Sequence, residues 1–226
     1  MSKSTIGILA AGALSLASVA HADFVDVQYT GTGVGQNVNV TSPGFNGGVF
    51  AGQILLSLTN STGGPNYPNL DGMWMVFCTE LPQYVNGNVT PYEVLPVAAL
   101  PMSNPMGAVR EAAISDLYAA AAGAQYGIDA DFAAAFQVAV WELSVDYVGG
   151  PSGLGDISAG NFQATGLTLA AEAYLNALLG AVGNTNGAWI AGLGNEFNQD
   201  FIIELPGPGA LALMGIAGLA GTRRRR

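Results

Sequence analysis

Between residues 131 and 147 nearly every position is apolar. Phe132, Phe136, Val140, Leu143 and Tyr147 recur at three- and four-residue steps, and Val138, Trp141 and Val145 form a second row beside them. The steps predict a helix, and the two rows together leave it no wide polar face, so it belongs in the interior. Gln137 stands in the middle of this run, one turn before Trp141. A buried primary amide needs hydrogen-bond partners or it destabilises the fold.

Upstream, the period changes to two. Residues 23–30 alternate through Phe24, Val25, Val27 and Tyr29 and predict a first strand. Residues 30–35 read as a Gly-rich turn, 38–41 as a short paired segment, and 47–59 as a second strand. After a polar loop over 60–69, residues 72–80 are continuously apolar (Met73, Trp74, Met75, Val76, Phe77, Cys78), which predicts a central strand covered on both faces. Leu81 and Pro82 stop it, since proline cannot continue an inner ladder. Residues 89–95 predict another strand and 100–105 a connector.

Asn104 and Pro105 then suit a helix start. The helix is expected over 106–126, with Val109, Ala113, Leu117 and Ala120 on one face, Arg110 and Glu111 near its start and Gly127 after its end. Asp129 or Asp131 caps the central helix, and Gly149 and Gly150 close it. Residues 155–166 read as a loop. A third helix is expected over 167–182 through Leu169, Ala173, Leu175, Leu178 and Leu179, followed by strands over 188–193 and 197–204. The sum is an α+β fold, a β-rich domain with a three-helix insertion.

The two ends carry their own patterns. Residues 1–22 have a basic start at Lys3, an apolar and small-residue core over 6–20, and Ala20, His21, Ala22 as a small-x-small cleavage site, the features of a secretory signal peptide. At the other end, Pro206, Gly207 and Pro208 break the chain. A weakly hydrophobic stretch over 210–221 follows, and Arg223, Arg224, Arg225 and Arg226 close it. That order predicts a C-terminal transmembrane helix whose basic end stays in the cytoplasm. The exported domain is then residues 23–205 and the tail 206–226. The tail resembles the PEP-CTERM sorting signal of Gram-negative bacteria, with Gly207 where that signal usually carries Glu. The resemblance implies recognition by an exosortase-type sorting enzyme after export by the secretion machinery, with release or attachment at the cell surface.

Removing both ends changes the charge balance. All 16 acidic residues lie between Asp23 and Glu204, whereas Arg110 is the only basic residue of the domain and the sole histidine, His21, leaves with the leader. Such a surface repels nucleic acid and anionic membranes. Ser-His and Cys-His catalysis lack their base, and lysine-based covalent chemistry lacks its amine. No carboxylate pair stands out for hydrolysis. No zinc-ligand spacing or phosphate-cradling loop occurs, so neither a metal nor a cofactor is expected, and the chain does not read as an enzyme.

One cysteine remains, Cys78, which has no partner for a disulfide although export implies an oxidising compartment. Cys78 and Gln137 can form an intramolecular thioester if packing aligns them: the thiolate attacks the side-chain amide, ammonia leaves, and an outside amine can later open the stored electrophile. Glu80, Trp141 and Glu142 lie within a few residues of the pair and are candidates to support it. Phe77, Cys78 and Thr79 resemble the aromatic-Cys motif of the thioester domains on bacterial surface adhesins, and Gln137, Ala139 and Trp141 their Gln-x-Ala-x-Trp motif, with Phe136 where that family often has Thr. The resemblance implies that Cys78 supplies the thiol and Gln137 the acyl group, and that the domain couples to surface amines. The alternative is a passive matrix or biofilm protein whose Cys78 is a buried free thiol packed as a small hydrophobe.

Overall fold

In a computed structural model the structure describes residues 23–64, 66–85, 87–102, 106–150 and 156–207. The expected leader, Asn104 and Pro105, and the tail from Pro208 through its hydrophobic stretch and arginines lie outside the described residues. The described residues form seven strands and three α-helices: β1 Asp23–Ser42, β2 Phe45–Thr59, β3 Gly72–Cys78, β4 Thr90–Leu95, α1 Gly107–Ala121, α2 Ala130–Val145, β5 Gln163–Thr165, α3 Leu169–Ala181, β6 Ile190–Gly194 and β7 Phe201–Glu204. This is a β-rich α+β domain with its helices between β4 and β6. No helix among the described residues is long and apolar enough to cross a membrane.

Every strand pairing is antiparallel. β1 lies against β2 from Asp26 to Ser42, while its other edge holds β4 at Asp23–Val27 and β5 at Asn39–Thr41. The remaining pairs run from β2 through β3, β7 and β6 to β4, so six strands close into a ring. Closure removes the unpaired edges that an open sheet must protect.

The Gly-rich segment 30–35 is not a turn. It stays inside β1, and the register against β2 slips between Tyr29 and Gly31 and again between Thr32 and Gly35. The glycines permit close backbone approach: a Cβ on Gly35 would meet the Ala51 carbonyl oxygen at 2.3 Å, and one on Gly52 the Val34 carbonyl oxygen at 2.4 Å. The reversal comes later, at Pro43 and Gly44, where Gly44 has φ +82°. Likewise, 155–166 is not all loop, since Gln163–Thr165 adds the short strand β5.

β3 is internal to the sheet, but only Val76, Phe77 and Cys78 are buried, whereas Met73 is largely exposed. Its cover comes from Phe136 of α2 and Tyr118 of α1, which pack on Phe77 with ring centroids 4.6 Å and 6.5 Å away.

α1 ends at Ala121, earlier than expected, because Ala122 and Gly123 turn left-handed. It buries Ala113, Ile114, Leu117, Tyr118 and Ala121, and the expected Val109 is exposed. The aromatic anchor at Tyr118 rotates the buried stripe away from Val109. α3 buries Ala171, Leu175, Leu178 and Leu179, leaving Leu169 and Ala173 outside, because α2 meets only that narrower face.

α2 matches its apolar pattern: twelve successive residues, Ala133 to Ser144, are buried. Asp129 caps it by accepting from the Asp131 and Phe132 N–H groups. At its other end Arg110 donates to the Tyr147 carbonyl at 3.1 Å and to the Val145 carbonyl at 3.0 Å. The Val145 oxygen belongs to the negative end of the helix dipole, where a cation is stabilising, and Tyr147 lies just past the C-cap Asp146.

Candidate functional site

β3 ends at Cys78, directly beside Phe201 at the start of β7. The middle of α2 lies over this strand end, held there by Phe136 against Phe77. The packing brings Gln137 onto Cys78. The Gln137 Oε1 accepts from the Cys78 N–H at 3.1 Å, and its Nε2 donates to the Cys78 carbonyl at 2.8 Å. The Cys78 Sγ is 3.5 Å from the same Oε1. Residues 59 positions apart in the chain thus form one buried unit, with Gln137 completely covered and Cys78 3% exposed. The amide is clamped by the backbone of the residue whose thiol lies against it.

The electrostatics follow from burial. Desolvation pushes the Cys78 thiol up to about 12. The Trp141 indole, next to the sulfur, and the residue's own N–H work in the opposite direction, while the carboxyl of Glu80 adds to the rise. The indole Nε1 is buried without a partner in normal hydrogen-bond geometry among the described residues.

Glu80 is buried by the turn after β3, which also raises its carboxyl above the usual range, and the Asp200 N–H partly offsets this. Asp200, which the sequence reading did not single out, is fully buried. Its carboxyl is raised to about 7 by burial, less the Asn195 N–H bond and more by Glu80. One oxygen of each, Glu80 Oε1 and Asp200 Oδ2, has no partner among the described residues. The signal for Asp200 lay in the third dimension: the Thr79 N–H donates to its carbonyl across 121 residues of chain. Glu142 is also buried and lies on α2, but its electrostatic neighbours are Asp146 and Asp156, not the Cys–Gln pair.

Two cavities lie near the pair, and Cys78 lines one of them. One of about 200 Å³ has Cys78 in its wall with Tyr29, Phe45, Phe50 and Tyr84. A smaller one, about 50 Å³, is lined by Thr79, Glu80, Trp141 and Ser144 among others. Pro206 and Gly207 follow β7 directly and are exposed, the chain being held up to Leu205 by its N–H bond to the Trp189 carbonyl at 2.7 Å. Among the described residues no group of three or more His, Cys, Asp or Glu could hold a metal ion. Compared with models of protein families, with curated proteins and with solved structures, the chain has no match in any of the three.

Proposed function

We propose that this is an exported protein, sorted to the cell surface or extracellular matrix through a PEP-CTERM tail over 206–226, and that its domain is a covalent adhesion module with an internal Cys78–Gln137 thioester. The contact that carries this reading is the 3.5 Å approach of the Cys78 Sγ to the Gln137 amide oxygen in a buried, backbone-clamped pair. In the closing step the Cys78 thiol gives up its proton, Sγ bonds to the Gln137 side-chain carbonyl carbon, the carbon–nitrogen bond breaks and ammonia leaves with that proton. The Cys78 N–H, already on Oε1, stabilises the negative charge that develops there. The positions of Glu80 and Trp141 suit them to help, Glu80 by taking the thiol proton and Trp141 by favouring the thiolate.

A second reading also has an observation behind it. With the amide intact, both Gln137 groups and both Cys78 backbone groups are paired, and loss of ammonia removes the donor to the Cys78 carbonyl. That favours a passive matrix protein in which Gln137 serves only to satisfy the end of β3.

The intact mass of residues 23–205 separates the two, measured beside Cys78→Ala. The variant keeps the backbone clamp and so keeps its fold. A wild type lighter by one ammonia, with the variant at full mass, establishes the thioester. A wild type at full mass with a thiol that titrates after denaturation leaves the passive reading. Sorting is checked by fractionating cells that carry the full chain or a chain lacking 206–226: surface retention of only the full chain is expected, and equal distribution would sink the tail assignment.

A further inference from the structure

The larger cavity beside Cys78 bears on which amine the thioester would accept, an inference that rests on the thioester reading above. Tyr29, Phe45, Phe50 and Tyr84 contribute aromatic surface to its wall, and Gln83 and Gln199 contribute amides. Among the described residues, no Asp, Glu, Lys or Arg lines it. Tyr84 is 74% exposed, so the aromatic wall continues out to solvent. The Gln83 Nε2 donates to the Glu196 carbonyl at 3.2 Å, while its buried Oε1 has no partner among the described residues and can accept from a ligand. Glu80 lines the smaller cavity and not this one.

An ammonium group entering such a cleft leaves water without meeting a carboxylate, which is costly. Only the neutral amine is a nucleophile in any case. A lysine-type amine, with pKa about 10.4, is almost entirely protonated at neutral pH. An amine flanked by carbons bearing oxygen is far less basic and supplies much more of the neutral form. Aromatic side chains that join an apolar face to a polar edge suit the flat C–H faces of a sugar ring, and side-chain amides suit its hydroxyls.

We infer that the cleft takes a weakly basic amine carried on a sugar ring, a 2-amino-2-deoxy sugar with its amino group free. In the transfer the carbon–sulfur bond breaks, a carbon–nitrogen bond forms at the Gln137 side-chain carbonyl, and the amine proton passes to the Cys78 sulfur.

The test uses the mature domain that has lost ammonia, incubated separately with methylamine, glucosamine, Nα-acetyl-lysine amide and glycinamide at neutral pH. Adducts on Gln137 are counted by mass spectrometry, and each rate is divided by that amine's rate with a small thioester in water. Glucosamine is expected to exceed acetyl-lysine amide and glycinamide by about tenfold, and Tyr84→Ala to lower the ratio of the glucosamine rate to the methylamine rate by about that factor. Acetyl-lysine amide or glycinamide reacting as well as glucosamine, or Tyr84→Ala without selective effect, overturns the sugar assignment and leaves the thioester standing. A domain at full mass that gives no adduct even with methylamine overturns the thioester itself.

Discussion

At the scale of single residues, Glu142 is the most exacting demand the fold makes. Both its carboxyl oxygens are buried and lack partners among the described residues. Burial, then Asp146, then Asp156, raise it to about 7 from an ordinary value of 4.5. The folded protein therefore holds a proton there that the unfolded chain has already released. The sign follows: this contribution is fully present below about pH 4.5 and is lost as the pH rises through about 7. Asp200, raised to about 7, and Glu80, raised by burial, act in the same direction. The melting temperature is expected to fall between about pH 5 and pH 8, and Glu142→Gln to flatten the fall and to stabilise the domain at the upper end. Thermal melts of the two proteins across that range check it; parallel curves would refute the assignment. Gln137→Ala belongs to the same scale. It strands the N–H and C=O of Cys78 in the interior, at about 1–3 kcal/mol for each group, whereas Cys78→Ala keeps both bonds. Urea denaturation of the pair should rank Gln137→Ala as clearly the less stable.

At the scale of elements, helices and strands were legible in the sequence to different degrees. The apolar run of α2 reads directly, because a helix is local and its burial is printed on every face. Its N-cap was narrowed to Asp129 or Asp131 for the same reason, and the structure shows it to be Asp129. Arg110 was visible only as a lone charge; that it reaches across to close α2 at Val145 and Tyr147 follows from the packing of α1 beside α2. Arg110→Met keeps much of the aliphatic stem and removes the two bonds, so a loss of about 1–2 kcal/mol is expected, measured by denaturant unfolding. The Gly-rich segment of β1 misled because glycines serve turns and bulges alike. What distinguishes them is the backbone of β2 pressed against Gly35, and no local pattern carries that. Gly35→Ala and Gly52→Ala each place a methyl group within 2.4 Å of a carbonyl oxygen. Both should destabilise the domain more than Gly180→Ala, which meets nothing within 4 Å.

At the scale of the whole molecule, β7 joins the Cys78–Gln137 pair at its first residue, Phe201, to the exit of the domain at its last, Glu204. β1 starts at Asp23 beside Val94, and β7 finishes at Glu204 beside Ile190; Asp23, Val94 and Ile190 line one common cavity. β3 rises antiparallel to β7, so Cys78 pairs with Phe201 at the other end of that strand. Four residues at about 3.3 Å each set the length of β7 between the two ends. None of this was readable from the sequence, since it depends on the pairing of Cys78 with Phe201, more than 100 residues further along the chain. The arrangement suits the proposed role. A domain tethered through Pro206 would hold Cys78 one four-residue strand away from the tether, beside the first residue of β7 and not its last. Tethering should then leave the site accessible. A biotinylated primary amine is expected to label the full chain on intact cells at a rate within about twofold of the free domain in solution, well short of the tenfold change that 1.4 kcal/mol of hindrance would bring. Labelling that appears only after the domain is released from the membrane would show that the tether covers the cleft and would break the link between tethering and adhesion.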